Sequence, residues 1–163
     1  MPRPSLGAAV ALLALAASAC GPAHETGAGG RMLVERVTRP AARLLDEPAR
    51  ARWCPQDSLL TLIAIGRRWT AGLAVRVAPP LPRSDSLPIS RFLGGAGTAT
   101  VALRAIGGAA RLAITGSLSF RAAGRLDGGF DVTVTDTAGP PARIRGTLTG
   151  IPIIVPADGA CEP

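Results

Sequence analysis

The chain has 163 residues and a formal net charge of +7, with 18 basic residues against 11 acidic ones. This length suits one domain with a short extra segment. Every basic residue is Arg, the arginines are scattered among apolar residues, and aromatic residues make up only 3% of the chain. Nucleic-acid-binding proteins instead cluster basic residues and interleave them with aromatic ones, so no nucleic-acid partner is predicted. The charge fits a solvated face, and attraction to anionic lipid headgroups or acidic glycans is the alternative.

The first 19 residues have the features of an export signal. Arg3 is followed by an uncharged run from Leu6 to Ala19, "LGAAVALLALAASA". This run is shorter than the roughly 18–20 apolar residues that a membrane-spanning helix needs. It fits the apolar region of a signal peptide, which has about 7–15 residues and is followed by small residues at the cleavage site. Residues 1–19 are therefore predicted to be a signal peptide.

The residues Ala17-Ser18-Ala19-Cys20 resemble the lipobox of bacterial lipoproteins. The resemblance implies that the Cys20 thiol receives a diacylglyceryl group, that the chain is cut before Cys20 and that the new amine is acylated, typically with palmitate. The family commonly has Leu where this chain has Ala17. The same residues also match the Ala-x-Ala site of the ordinary signal peptidase, which would release the protein with an unpaired Cys20.

The resemblance also predicts where the mature chain is found. It implies the bacterial cell envelope, with the chain anchored to a membrane through its lipid and facing the periplasm or the exterior. Gly21 stands where many inner-membrane lipoproteins have Asp, which favours the outer membrane in a cell that has one. The Gly-rich segment Gly21–Arg31, "GPAHETGAGGR", is expected to be a flexible spacer behind the lipid.

Two further cysteines, Cys54 and Cys161, lie far apart in the chain. In an oxidising envelope such a pair predicts one disulfide. With 106 residues between the two cysteines, closing the loop would stabilise the fold by about 4–5 kcal/mol in the chain-entropy description. Two separate buried thiols are the alternative.

Residues 20–52 are expected to hold the lipidated cysteine, the tether and a short helix. The segment "MLVERVT" at 32–38 fits a first strand. The segment "PAARLLDEPARAR" at 40–52 fits a short helix that Pro40 opens and Pro48 interrupts. The β-rich domain is expected to cover residues 53–163.

From Trp53 onward, apolar and polar residues alternate with the period of a strand. Gly66-Arg67-Arg68 and Gly107-Gly108 fit tight connections, and Ala78–Pro88 is expected to be a loop because its prolines cannot sit inside a ladder. The predicted strands are 59–65, 69–77, 98–106, 111–121, 130–135 and 144–149.

Two details of the later strands concern the shape of the sheet. Ile114 is expected on the apolar face of its strand, together with Leu118 and Phe120. Gly116 and Gly146 occur in the middle of strands and are expected to mark bends. The predicted fold class is all-β, an antiparallel meander that forms a β-sandwich or a small barrel.

The sequence offers little for catalysis. The one histidine, His24, lies in the expected spacer, and Lys is absent, so no catalytic residue, cofactor site or metal site is predicted. The segment "GGAGTAT" at 94–100 lacks the Gly-Lys pair of a phosphate loop and is expected to be a loop that leads into a strand.

Asp127 and Asp131 are the candidate carboxylate pair, because paired carboxylates hydrolyse glycosides or bind calcium. A turn residue and a solvated strand residue are the favoured interpretation of these two. Trp53 and Trp69 could stack on a sugar ring, and packing in the core is favoured for both.

Three functions follow as hypotheses. The leading one is a non-enzymatic, lipid-anchored envelope protein that serves as an interaction or structural module, with an envelope protein or a glycan as partner; a filled core and an exposed apolar patch would favour it. The second is a small carrier of apolar ligands, which needs a cavity of some 300 Å³ lined by residues such as Leu73, Ile114 and Phe130. A glycan-processing enzyme has the least support and requires Asp127 and Asp131 to converge in a cleft.

Overall fold

The computed structural model describes residues 29–135, 140–156 and 161. These ranges form nine β-strands and no helix, and the strands close into one barrel. The all-β prediction is confirmed, and the sheet forms a barrel instead of a sandwich. The predicted signal peptide, Cys20 and most of the predicted spacer lie outside the described residues. The strands are β1 (Arg31–Arg36), β2 (Ala42–Cys54), β3 (Leu59–Ile65), β4 (Trp69–Arg76), β5 (Ser84–Ser90), β6 (Thr98–Ala105), β7 (Ala110–Ala122), β8 (Arg125–Thr135) and β9 (Ala142–Ile154).

The strand order around the barrel is β1-β2-β3-β4-β6-β5-β7-β8-β9, and nearly all neighbours are antiparallel. Strand β5 is the exception to the simple meander. It pairs with the second half of β7 and meets β6 in parallel at one residue pair, Ile89 with Ala99. The first part of β7 pairs with β6 directly.

Strand β1 closes the barrel. It pairs with β2 on one side and with β9 along its whole length on the other. Beyond the start of β1, β2 and β9 meet directly through two parallel pairs, Ala51 with Ile153 and Arg52 with Ile154. A sheet that is closed in this way does not offer its edge strands to other chains.

Two sequence predictions about proline-containing segments are wrong. The short helix expected within residues 40–52 is instead part of β2, so the β-domain begins at Arg31 and not at residue 53. The loop expected over Ala78–Pro88 ends earlier, because β5 starts at Ser84 and includes Pro88.

The sheet accepts both prolines because of where they lie in the ladder. The Ala49 N–H donates to Gly30 O at 2.9 Å, so the nitrogen of the preceding Pro48 faces away from β1. The Pro48 nitrogen therefore faces β3. Because β3 pairs with β2 only from Ala49 onward, no β2–β3 ladder pair is present at Pro48. Pro88 lies in β5, which has a full ladder on one side only. Strands of this kind tolerate proline.

The barrel is filled by the inward-facing side chains of all its strands. In the described part of the chain, every buried residue is apolar or glycine. Leu73 and Phe130 are each 3% exposed, and Trp53 is 5% exposed, which confirms core packing for Trp53. Trp69 is half-buried and packs against the same core from one end of the barrel.

The expected inward position of Ile114 is wrong. Its side chain is 39% exposed because the β7–β8 register shifts between Ala113 and Thr115. This bulge turns Ala113 inward and Ile114 outward. Gly116 follows it with a φ of +152°, a backbone conformation that side chains disfavour, which agrees with the expected bend.

The second mid-strand glycine, Gly146, is required for a different reason. It lies opposite Phe130 in the β8–β9 pairing, and a Cβ atom added at Gly146 would overlap the Phe130 ring. The ring therefore occupies the space that a side chain on β9 would fill. An aromatic residue packed over a glycine on a neighbouring strand also helps to fix the register of a curved sheet.

We expect Gly146→Ala to lower the free energy of unfolding by about 1–3 kcal/mol, because the added methyl group displaces a buried ring. Urea unfolding measures this change. Gly95→Ala is the matched control, since a Cβ there meets nothing within 4 Å and should alter stability little. Equal effects of the two substitutions would show that the Phe130 ring does not depend on the space at position 146.

Candidate functional site

The predicted disulfide is confirmed. Cys54 at the end of β2 is bonded to Cys161, and their Cα atoms are 5.8 Å apart. The bond attaches the segment after β9 to the end of β2. The Asp57 carboxylate lies within 4.8 Å of both sulfur atoms, a proximity that the sequence pattern did not reveal. Because the sulfurs are bonded to each other, they are not available as the thiolates that a metal ion would need.

The two candidate carboxylates do not form a pair. Asp127 and Asp131 lie on the outer face of β8, four residues apart, which corresponds to about 13 Å along an extended strand. This separation exceeds the roughly 5–10 Å between the carboxyl groups of glycosidases. Each also has its own partner: the Gly150 N–H donates to Asp127 Oδ1 at 2.6 Å, while Asp131 binds arginines of β9.

Asp131 links β8 to β9 through two arginines. Arg143 donates from Nε to Oδ1 at 2.8 Å and from Nη2 to Oδ2 at 2.9 Å. Arg145 Nη2 approaches Oδ2 at 3.4 Å. The hydrogen bonds from Arg143 hold the pKa of Asp131 below its usual value; partial burial opposes this shift, and Arg145 adds to it. These charge-assisted hydrogen bonds connect β8 to β9 on the outer face of the barrel.

An open hollow of about 630 Å³ lies on the outer wall across β5, β7 and β8. Its side chains include Ser84, Ser86, Ser119, Arg121 and Asp127. The aromatic residue of its floor, Phe120, is only 4% exposed and presents little ring surface for stacking. The hollow is thus a shallow polar surface.

The cavity inside the barrel is much smaller than the hollow on its outer wall. A cavity of about 30 Å³ lies at one end of the barrel, lined by Leu44, Trp69, Leu103 and Ile144 with Arg36 and Arg111. This volume suits a water molecule and is a tenth of the 300 Å³ expected for a carrier. Leu73 and Phe130, two of the expected cavity-lining residues, are part of the packed core. The filled interior favours a module over a carrier.

The same end of the barrel carries a ring of arginines and exposed apolar residues. It is the end where β1, β3 and β6 finish and β2, β4 and β7 begin. Two backbone hydrogen bonds connect neighbouring loops of the ring, from Ile106 N to Arg68 O and from Val37 N to Arg143 O, each 2.9 Å long. We call this surface the arginine rim and define it by Arg36, Arg39, Arg67, Arg68, Arg104 and Arg111.

Three exposed apolar side chains lie at the strand ends and loops of the rim. Val37 is 42% exposed, Ile65, the last residue of β3, 67% and Ile106 68%; we call them the apolar tips. They lie at three places that are distant in sequence, so sequence reasoning did not find the surface. The signal that could have indicated it is the position of Arg and Ile directly beside Gly at strand ends, as in "AIGRRW" and "LRAIGG".

Four arginines of the barrel wall form ion pairs, whereas others outside the rim, such as Arg50 and Arg121, form none within the described ranges. On the wall, Asp46 binds Arg31 at 2.9 Å and Arg43 at 3.2 Å, and Asp131 binds two further arginines. On the rim, Arg36, Arg39, Arg67 and Arg68 form no ion pair with any acidic residue in the described ranges. Arg39, Arg67 and Arg68 are exposed, whereas Arg36 is half-buried and lines the small cavity.

No family model, curated protein or solved structure matches this chain. Within the described ranges, no helix has the length and apolar character needed to cross a membrane. A barrel fold alone does not determine a function, so the function has to be inferred from the sites themselves.

We expect Asp131→Asn to destabilise the protein at neutral pH and to lose this effect in acid. Because the pKa of Asp131 is lowered in the folded state, its ionised form stabilises the fold above the unfolded-state pKa of about 3.9. That contribution disappears as the pH falls through the lowered value. Urea unfolding of both proteins from pH 7 to pH 2 measures it, and a difference that stays constant over this range would contradict the assignment.

We expect Cys161→Ser to lower the free energy of unfolding by up to about 4–5 kcal/mol, because the disulfide restricts a long loop in the unfolded chain. Urea unfolding without reductant tests this. Adding a reductant to the wild-type protein should give the same loss and should change the variant little. Equal stability of wild type and variant would show that the bond contributes nothing to the fold.

Proposed function

We propose that this protein is a lipid-anchored component of the bacterial cell envelope. The barrel would be an interaction or structural module without enzymatic activity, held at a bilayer surface by acyl chains on Cys20. Gly21 favours the outer membrane where the cell has one. The lipobox-like residues Ala17-Ser18-Ala19-Cys20 are the sequence feature from which the proposal starts.

The observation that carries the proposal is the pairing of Cys54 with Cys161. The chain has three cysteines, and this bond uses two of them. A disulfide fits an oxidising compartment, as expected for an exported protein. Cys20 cannot belong to the same bond, so its thiol remains available for a diacylglyceryl group.

The described surfaces support a module over the other hypotheses. The cavity at the barrel end holds about 30 Å³, and Asp127 and Asp131 are engaged separately on the outer wall. The rim combines exposed charge with exposed apolar residues, and such surfaces are typical of contact with another molecule.

Fractionation of cells that express the full chain tests the anchor. We expect the protein in the membrane fraction, with an intact mass that corresponds to a chain starting at Cys20 plus a diacylglyceryl group and an amine-linked acyl chain. Two or more acyl chains give stable attachment, at about 0.8 kcal/mol per buried methylene. The Cys20→Ser variant should lack these acyl groups and should be released from the membrane fraction by a high-salt wash, which leaves the wild-type protein in place.

Cys161→Ser is the matched control, because it removes a cysteine without touching the lipobox and should stay in the membrane fraction. A wild-type protein that is soluble and lacks its first 19 residues would assign the ordinary signal peptidase instead. A protein that keeps these residues inside the cell would contradict export altogether.

A further inference from the structure

We infer that the arginine rim is a bilayer contact, in which the rim arginines bind anionic phospholipid headgroups and the apolar tips enter the interface. This inference extends the proposed function, since it gives the module a second attachment besides the lipid. The contact itself depends only on the barrel, so it can be measured on a chain that carries no lipid.

The charge of the rim is the first argument. Arg36, Arg39, Arg67 and Arg68 form no ion pair within the part of the chain that the structure describes. Each Arg near an anionic membrane surface contributes about 1 kcal/mol of attraction, and the planar guanidinium suits phosphate oxygens well. Three of these residues, Arg39, Arg67 and Arg68, are exposed at one end of a small barrel, which is enough for a salt-sensitive contact.

In the part of the chain that the structure describes, the acidic side chains nearest the rim are those of Glu35 and Glu47. The Glu47 side chain is half-buried next to Gly66. Glu35 is also half-buried, and on the wall it lies opposite Arg43 and Arg145 in the sheet. Among the described residues, neither carboxylate is fully exposed as the rim arginines of loops 37–41 and 66–68 are.

The apolar tips are the second argument, and they favour a bilayer over a purely polar partner. Val37, Ile65 and Ile106 are 42–68% exposed, and each lies in or next to a separate loop that carries or adjoins an arginine. Side chains arranged in this way can enter the headgroup–acyl boundary while the guanidinium groups stay at the level of the phosphates. An acidic polysaccharide would use the charge alone and leave the apolar tips in water.

The position of the rim is compatible with an anchor at Cys20. From Arg31 to Val37 the chain rises by about 20 Å at 3.3 Å per residue of strand. The nine steps from Cys20 to Gly29 span at most about 30 Å. Acyl chains on Cys20 can therefore reach the same bilayer that the rim touches, although the chain enters the sheet about halfway along β2 and β9.

Vesicle binding by the full chain with Cys20→Ser tests the inference. We expect co-sedimentation with vesicles of phosphatidylcholine plus anionic phosphatidylglycerol, weaker binding to phosphatidylcholine alone, and loss of binding as salt is added. Arg67→Gln/Arg68→Gln should lower the partition coefficient about 10- to 30-fold, since two arginines at about 1 kcal/mol each are removed. All variants share the same first 28 residues, so differences among them report the barrel.

Two matched controls separate the rim from the rest of the surface. Arg50→Gln/Arg83→Gln removes the same charge from exposed positions outside the rim and should change binding much less. Ile65→Ser/Ile106→Ser should weaken binding. Phe92→Ser should not, although Phe92 is 76% exposed and thus more so than either tip. Urea unfolding should show every variant to be folded.

Several results would overturn the inference. They are equal binding to neutral and anionic vesicles, equal losses in the two arginine variants, and no vesicle binding by the parent chain. Binding to a soluble acidic polysaccharide that Arg67→Gln/Arg68→Gln weakens, without binding to vesicles, would assign the rim to a glycan. None of these results bears on acylation of Cys20, which the intact mass reports separately.

Discussion

The pairing of β1 with both of its neighbours is the constraint on which the structure depends. The strand has only six residues. Strands β2 and β9 pair directly at only two positions, and β1 lies between them and pairs with both over the residues that precede these positions. Its inward side chains, Met32 and Val34, are fully buried. Without β1 the sheet would have two long free edges and a core open on one side.

Closure also determines where the surfaces of the protein lie. It brings the loops after β1, β3 and β6 to one end of the barrel, where the rim and the apolar tips lie. The disulfide links the end of β2 to the residues beyond β9, next to the region where these two strands meet directly. The described side chains that face the interior pack against one another.

Much of the fold could be predicted from the sequence, because alternation reports which side chains face the core. The strands after Trp53 follow this pattern. The pairing of the two cysteines was predictable for a different reason, because a pair of cysteines in an exported chain favours a disulfide. Alternation gives the wrong prediction where the hydrogen-bond geometry of the ladder determines whether a residue is in a strand or which face it occupies. Pro48 and Pro88 indicate breaks, yet the Pro48 nitrogen faces away from β1, and Pro88 lies in a strand that has a full ladder on one side only. Ile114 is turned outward by a bulge that alternation does not reveal.

The rim could not be predicted in the same way. Alternation assigns a side chain to a face of the sheet but does not say which loops meet at one end of a barrel. Arg39, Arg68 and Arg104 become neighbours in one ring only because the strands are antiparallel and the sheet is closed. The candidate carboxylate pair, which the sequence interpretation did not favour, does not form: Asp127 and Asp131 share a face of β8 but lie four residues apart along an extended strand.

Amide hydrogen exchange of β1 in the folded protein tests the account most directly. Because β1 has a partner strand on both sides, the amides of Met32 and Val34 should exchange as slowly as those of β8 and β9, through global unfolding alone. Rapid exchange in β1 while β8 and β9 remain protected would show that the barrel is open at this strand and would contradict the account.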